Sequence, residues 1–241
     1  MAGQLFLQSH VFLCQGKRHW VILDVNRDKY LCVDRRQFEA LGPSLQGWVG
    51  DSSGIHGADA SEARGDAVGL ADQLLGLGIL SEAGAHAKAA RATDYPLPTG
   101  ASDPDSLTPS TWSSCLHAGS FFLSCAKASR ELREQPFQAT IEAVRARRAR
   151  NIVRAGKLDL KRAQALTAIF EGLRLFYPRS YLCLFDSLAL IHFLARQRVY
   201  PDWVFGVNAD PFEAHCWVQA GGVLLNDRLE RVSGFTPIMT V

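Results

Sequence analysis

Apolar positions follow three patterns along the chain, and each pattern selects a different kind of element. HVFLC, WVILDV and KYLCV (10–14, 20–25, 29–33) are short β-branched and aromatic runs broken by QGKRH and NRD. They predict a three-stranded meander. RRQFEAL reads as a short helix, and residues 42–66, with six glycines and few apolar anchors, read as a long loop. DAVGLADQLLGLGIL (66–80) places Val68, Leu70, Leu74, Leu75, Leu77 and Ile79 mainly at helical spacings. SSCLHAGSFFLSCAKASRELRE, FQATIEAVRARRARNIV and LDLKRAQALTAIFEGLRLFY repeat apolar residues every three and four positions and predict three more helices. DWVFGVN, AHCWVQ and VLLND then return to a strand pattern, the last two joined by Gly221-Gly222.

Prolines divide this α+β pattern. Four of the ten (Pro96, Pro98, Pro104, Pro109) stand in YPLPTGASDPDSLTP, which can hold neither a helix nor a central strand. Residues 93–110 are therefore expected to be a linker between domains at 1–92 and 111–241.

Composition excludes several classes. Of 241 residues, 47% are hydrophobic and 21% charged, as in a globular chain rather than a disordered one. No apolar run is long enough to span a membrane. The first fifteen residues lack a basic segment, and Gln8, Ser9 and His10 break their apolar run, so no secretory signal is read and the cytoplasm is the simplest compartment. The six cysteines form no C-x-x-C pair, so neither a disulfide framework nor a metal site is expected. The net charge of +2 conceals a cancellation: residues 127–162 carry +7 and the remainder −5. That segment reads either as a solvated helix face or as a docking surface for an acidic partner or nucleotide.

The chemistry concentrates in RSYLCLFDSLALIHFLARQ and EAHCWVQAGGVLLND. Ser180 is the expected N-cap of a helix from Leu182 to Gln197, which puts Cys183 in the first turn, where free N–H groups favour a thiolate. A core cysteine beside Leu182 and Leu184 is the competing reading. His215 is a titratable group in an apolar strand, out of place unless paired or used. A two-residue turn would set His215 opposite Arg228 and project Asp227 to the other sheet face. A three-residue turn with a glycine bulge sets Gln219 opposite Val223 and His215 opposite Asp227. The latter register is expected, because it lets Asp227 orient the imidazole for Cys183.

C-L-x-x-S-L-A-L, then H-x-W-V some thirty residues on, then N-D closing a hairpin, resembles the transglutaminase-like protease (B protein) of bacterial lasso peptide biosynthesis over residues 112–241. The resemblance implies a papain/transglutaminase-like cysteine protease fold. In it Cys183 is the nucleophile, His215 the general base and acid, and Asp227 the orienter. It also implies an asparagine-synthetase-like cyclase as partner and ATP-linked cleavage, although no G-x-x-x-x-G-K-[ST] loop is present. Where papain-type enzymes keep an oxyanion-stabilising Gln, this chain has Tyr177, leaving the Cys183 N–H as the donor identified.

The meander, short helix, loop and helix, with D-V-N-R-D-K-Y-L-C-V-D, resemble the small PQQ-chaperone-type domain that recognises leader peptides. That resemblance implies a winged-helix-like shape. It also implies a leader strand added along Lys29, Tyr30, Leu31, Cys32 and Val33 and resting on Val68, Leu74 and Leu77. Residues 1–92 carry a net charge of −1 and no basic stripe, which argues against nucleic acid. Together the two resemblances describe a leader peptidase that binds a precursor peptide and cuts leader from core. The alternatives are a transglutaminase-like acyl transferase and a non-catalytic precursor-binding adaptor.

Overall fold

The computed structural model describes residues 4–48, 59–82, 87–102, 110–156 and 158–241. They divide into two compact units: Met1–Asp94 with the hairpin tip Val207–Glu213, and Tyr95–Gly206 with Ala214–Val241.

In the first unit β1 (Phe6–Gln8) precedes the meander β2 (Val11–Gln15), β3 (His19–Asp24) and β4 (Lys29–Asp34). The meander's antiparallel ladder is unbroken, from Val11 opposite Asp24 to Gln15 opposite Trp20, and from His19 opposite Asp34 to Asp24 opposite Lys29. Buried Asp24 closes the second turn by accepting from the N–H groups of Asn26 and Arg27 at 3.0 and 3.2 Å. Asp34 then caps α1 (Arg35–Leu41), accepting from the N–H groups of Arg36 and Gln37.

α2 (Asp59–Gly76) starts inside the stretch expected to be loop and ends before Leu80. Gly78 takes a left-handed φ of 62°, and β5 (Leu80–Ser81) instead pairs with β1. Extending a helix through both glycines would cost about 1 kcal/mol each, whereas Leu80 gains a ladder partner in Leu7. Of the rest of the expected loop, Gly42–Ser44 forms a 3-10 turn and 49–58 lies outside the described residues. β6 (Ala87–Lys88) lies on the other side of β1. Leu7, Leu13, Trp20, Ile22, Phe38 and Leu74 are among the residues of this unit's core.

The second unit begins with a correction. Part of the expected linker is a strand, β7 (Gly100–Ala101), paired parallel with β10 (Val223–Leu224). The strand is at the sheet's edge, where the proline-rich segment can pair: the N–H groups of Thr99 and Gly100 both donate to the Gly222 carbonyl, and that of Ser102 to Leu224. Four helices follow: α3 (Thr111–Glu134), α4 (Phe137–Ala155), α5 (Leu160–Arg174) and α6 (Cys183–Arg196). β8 (Asp202–Ala209), β9 (Phe212–Ala220), α7 (Leu229–Val232) and β11 (Thr236–Thr240) complete the unit, and its sheet has the order β11-β8-β9-β10-β7. The apolar pattern did not announce β11, which contains Pro237; an edge position tolerates the missing donor.

α6 is buried on nearly all sides, from Phe185 and from Ser187 through Leu194, and packs against α3 and α5. Gly206 of β8 lies directly beneath Trp217, where an added methyl would meet the indole at 2.7 Å.

Part of the basic segment is engaged within the second unit. Arg145 donates to the Thr240 carbonyl at 3.2 Å, Arg147 to His192 at 2.7 Å, and Arg148 pairs with Asp202. Lys127 pairs with buried Glu131. Arg130, Arg133, Arg150, Lys161 and Arg162 stay exposed, and among the described residues Arg148 is the one of the segment that pairs with an acid outside it.

Candidate active site

The approach to α6 is built by one buried arginine. Arg174, 1% exposed, binds Asp186 through Nε and donates to the carbonyls of Tyr177, Arg179 and Ser180. The other Asp186 oxygen accepts from the Leu182 N–H at 2.7 Å. Leu182, not Ser180, is thus the N-cap. Ser180 was expected there for its hydroxyl, but Arg174 holds its carbonyl outside the helix, and Asp186 reaches back to satisfy the start instead. Cys183 becomes the first helical residue, at the positive end of the helix dipole.

His215 sits on β9, 4% exposed, with Phe235 and Trp217 at ring-centroid distances of 5.1 and 6.1 Å. Its Nε2 lies 2.5 Å from Asp227 Oδ2. A carboxylate can only accept, so Nε2 carries the proton and Nδ1 is left for the hydrogen bond with the Cys183 sulfur. The other Asp227 oxygen accepts from the Arg228 N–H at 2.8 Å.

The expected register is wrong, yet the three residues meet. Val223 faces Ala220 and Leu224 faces Gln219, which is the two-residue turn, with Gly221 at a φ of 60°. The same register continues through the Leu225 N–H, which donates to Val218, and then the ladder stops. Asn226 takes over with its side chain: Oδ1 accepts from the Val218 N–H at 2.7 Å, and Nδ2 donates to Ser187 Oγ at 3.1 Å. With its backbone released from the sheet, the chain bends and delivers Asp227 to His215. Strand alternation carries no information about a residue that has left the strand.

The electrostatics follow from these contacts. Cys183 is brought down to about 4, first by a hydrogen bond from the Cys216 thiol and next by one from His215, against the cost of burial. Burial opposes the charged imidazole, but hydrogen bonds with Asp227 and Cys183 outweigh it and raise His215 to about 9. Asp227 is lowered, because the bonds from His215 and the Arg228 N–H exceed its burial penalty. The resting pair is a thiolate beside an imidazolium. Such a site can attack a carbonyl carbon and protonate the leaving group.

A cleft of about 370 Å³ opens beside Asp227, lined among others by Thr167, Glu171, Asn226 and Glu230. Glu171 is pushed up to about 7, mainly by burial and then by Asp186. Arg174, Asp186, Asn226 and Cys216 are the site residues that sequence patterns did not single out. The DS and ND steps next to Cys183 and His215 partners were visible, but their roles depend on folding. Among the described residues no His, Cys, Asp and Glu group is arranged to hold a metal.

The residues expected to bind a leader lie in the first unit and differ in accessibility. β4 is an edge strand of the meander; Lys29 and Cys32 are exposed and Tyr30 and Leu31 partly so. Val68 and Leu77 of the α2 region are also exposed. Val33 and Leu74 are core residues, which corrects their expected place in a groove: Leu74 is buried with Ala67 of the same helix, and Val33 points inward from β4.

A cysteine at a helix start, an imidazole on a strand and a carboxylate behind it are arranged as in sites of papain/transglutaminase type. In agreement, residues 122–240 match the profile of the Transglutaminase-like superfamily, so the chain carries a domain of that superfamily, which includes cysteine peptidases and acyltransferases. No curated protein and no solved structure matches the chain. Among the described residues no helix is long and apolar enough to cross a membrane.

Proposed function

We propose that this protein is the leader peptidase of a lasso peptide pathway: the first unit binds the precursor's leader, and the second cuts leader from core. The observation carrying this reading is the His215–Asp227 contact of 2.5 Å, with Cys183 at the start of α6 as the imidazole's electrostatic partner. The Cys183 thiolate attacks the scissile carbonyl, and the oxyanion forms near the Cys183 N–H at the helix start. The His215 imidazolium protonates the departing amine, leaving a thioester on Cys183. His215 then deprotonates a water that attacks the thioester, releasing the acid and restoring the thiolate.

The leader is taken to add as a strand alongside the edge strand β4, between Lys29 and Cys32, in a winged-helix-like unit. Tethering makes this efficient, since a weakly bound scissile segment is presented at about millimolar effective concentration. The freed core would pass to an asparagine-synthetase-like cyclase. Any ATP linkage would come through the exposed part of the basic segment or through that partner.

Incubating the precursor with the full chain and with Cys183→Ala tests the proposal. Leader release should vanish in the variant while leader binding, followed by fluorescence, persists. Undiminished cleavage by the variant would overturn the mechanism, and absent binding by both would overturn the recognition role. Mass spectrometry distinguishes hydrolysis from transfer to an amine, since only hydrolysis adds water across the cut.

A further inference from the structure

The cleft beside Asp227 is left unused by the mechanism above. One face of α5 lines it, with Gln164, Thr167, Ala168 and Glu171 recurring at helical spacing. The segment 225–230, which carries Asp227, supplies another wall, and Ser102 after β7 a third. The cleft therefore borders the catalytic carboxylate directly. α5 also packs against α6, whose first residue is Cys183.

The polar groups of this cleft fall into two sets. Thr167 donates to the Ala163 carbonyl, Asn226 is committed to Val218 and Ser187, and Asp227 to His215. Glu171, by contrast, has no hydrogen bond or ion pair among the described residues. Arg174, one turn further along α5, turns its guanidinium to Asp186 and three carbonyls instead. Ser102 Oγ is buried and also without a partner. Arg228 and Glu230 are exposed and of opposite charge. What remains is one uncompensated carboxylate and one unused hydroxyl, set among apolar Ala168, Leu225 and Leu229.

We infer that this cleft takes a basic side chain of the precursor, standing close to the scissile bond, with Glu171 as the carboxylate that pairs with it. This deepens the peptidase reading and rests on it. A lysine or arginine joins a methylene stem to a cationic head; the apolar walls suit the first as Glu171 suits the second. Ser102 Oγ can accept from the same head. At about 370 Å³, the cleft lies within the range of roughly 300–1,000 Å³ usual for ligand pockets. A carboxylate enclosed without a partner costs free energy that a cation recovers. Burial, and next Asp186, hold Glu171 above the ordinary carboxylate range, as expected where that partner is missing. An acidic side chain would meet Glu171, Asp227 and Glu230 there, so the pocket rejects as well as selects.

The test uses the full chain and precursor variants in which each residue flanking the cut is set in turn to Lys, Gln or Glu. Rates are followed by mass spectrometry as kcat/KM. At one position Lys should exceed Gln by roughly 10- to 100-fold, the worth of a hydrogen bond to a charged group, with Glu poorest. This readout needs no variant enzyme to fold. Glu171→Gln should then collapse the ratio of Lys to Gln at that position, and Glu171→Lys should turn the preference toward Glu. A merely structural Glu171 would lower all substrates alike and keep the ratio, which would overturn the inference. Cleavage with no preference for Lys at any position overturns it too, and leaves the peptidase reading standing. If no precursor is cut, the peptidase reading fails and takes the pocket with it. A crosslinked product, with the Lys amine joined to the acyl group, would make that Lys an acceptor and would also overturn the inference.

Discussion

Two buried histidines of the second unit share one contact and differ in charge. His192 Nε2 lies 2.5 Å from Glu131, and His215 Nε2 lies 2.5 Å from Asp227. His192 is nevertheless held below its ordinary range, whereas His215 rises to about 9. The difference lies at the second ring nitrogen. Arg147 stands 2.7 Å from His192 Nδ1, and a guanidinium only donates, so that nitrogen is a bare acceptor and the ring stays neutral. Burial, the largest influence, and this cation together outweigh Glu131. At His215 the corresponding neighbour is the Cys183 sulfur, whose negative form stabilises the charged ring. A histidine–carboxylate pair is therefore structural or chemical according to its third partner.

The sharpest break in this comparison is at the sulfur. Cys183→Ala should lower the rate of leader release on the order of 10⁴-fold or more, measured by chromatography of cleaved precursor. Asp227→Ala comes next, with a loss of roughly 10²–10⁴-fold, and imidazole NMR should show His215 titrating lower, toward the ordinary histidine value. In the wild type, the pH profile should be flat between about 4 and about 9. Activity falls about tenfold per unit as pH drops below the first value, because the thiolate gains a proton. It falls likewise above the second, because His215 loses the proton it must donate.

Smaller effects test what supports each pair. Asn226→Ala leaves the buried Val218 N–H unpaired and should cost about 1–3 kcal/mol in denaturant unfolding, with a lower rate because Asp227 is no longer aimed. Arg147→Leu should raise the titration of His192, leave that of His215 in place and leave the cleavage rate unchanged.

How much of this was legible in the sequence differs between the two pairs. Cys183, His215 and Asp227 could be found because each stands out locally: a cysteine at the start of a helical run, a histidine in an apolar strand, an acid after a turn. The Glu131–His192–Arg147 cluster could not, since its members are 61 and 45 residues apart and each resembles an ordinary helix residue. The meander strands and most helices follow from periodicity, which reports local burial. The hairpin register did not, because a side-chain amide replaced a backbone partner at Asn226. Nor did the cap of α6, because the choice between Ser180 and Leu182 was made by Arg174, an apparently exposed charge that is buried.

The Asn226 contact has one further consequence. Since the amide, and not the glycine turn, sets where the strand releases Asp227, the closed end of the hairpin and the carboxylate are mechanically separate. Residues inserted between Gly221 and Gly222 lengthen the exposed tip as long as the Gly222 carbonyl keeps its bonds from the Thr99 and Gly100 N–H groups. The turn is thus a place where chain length can drift, or a reporter be grafted, while the reacting atoms keep their positions.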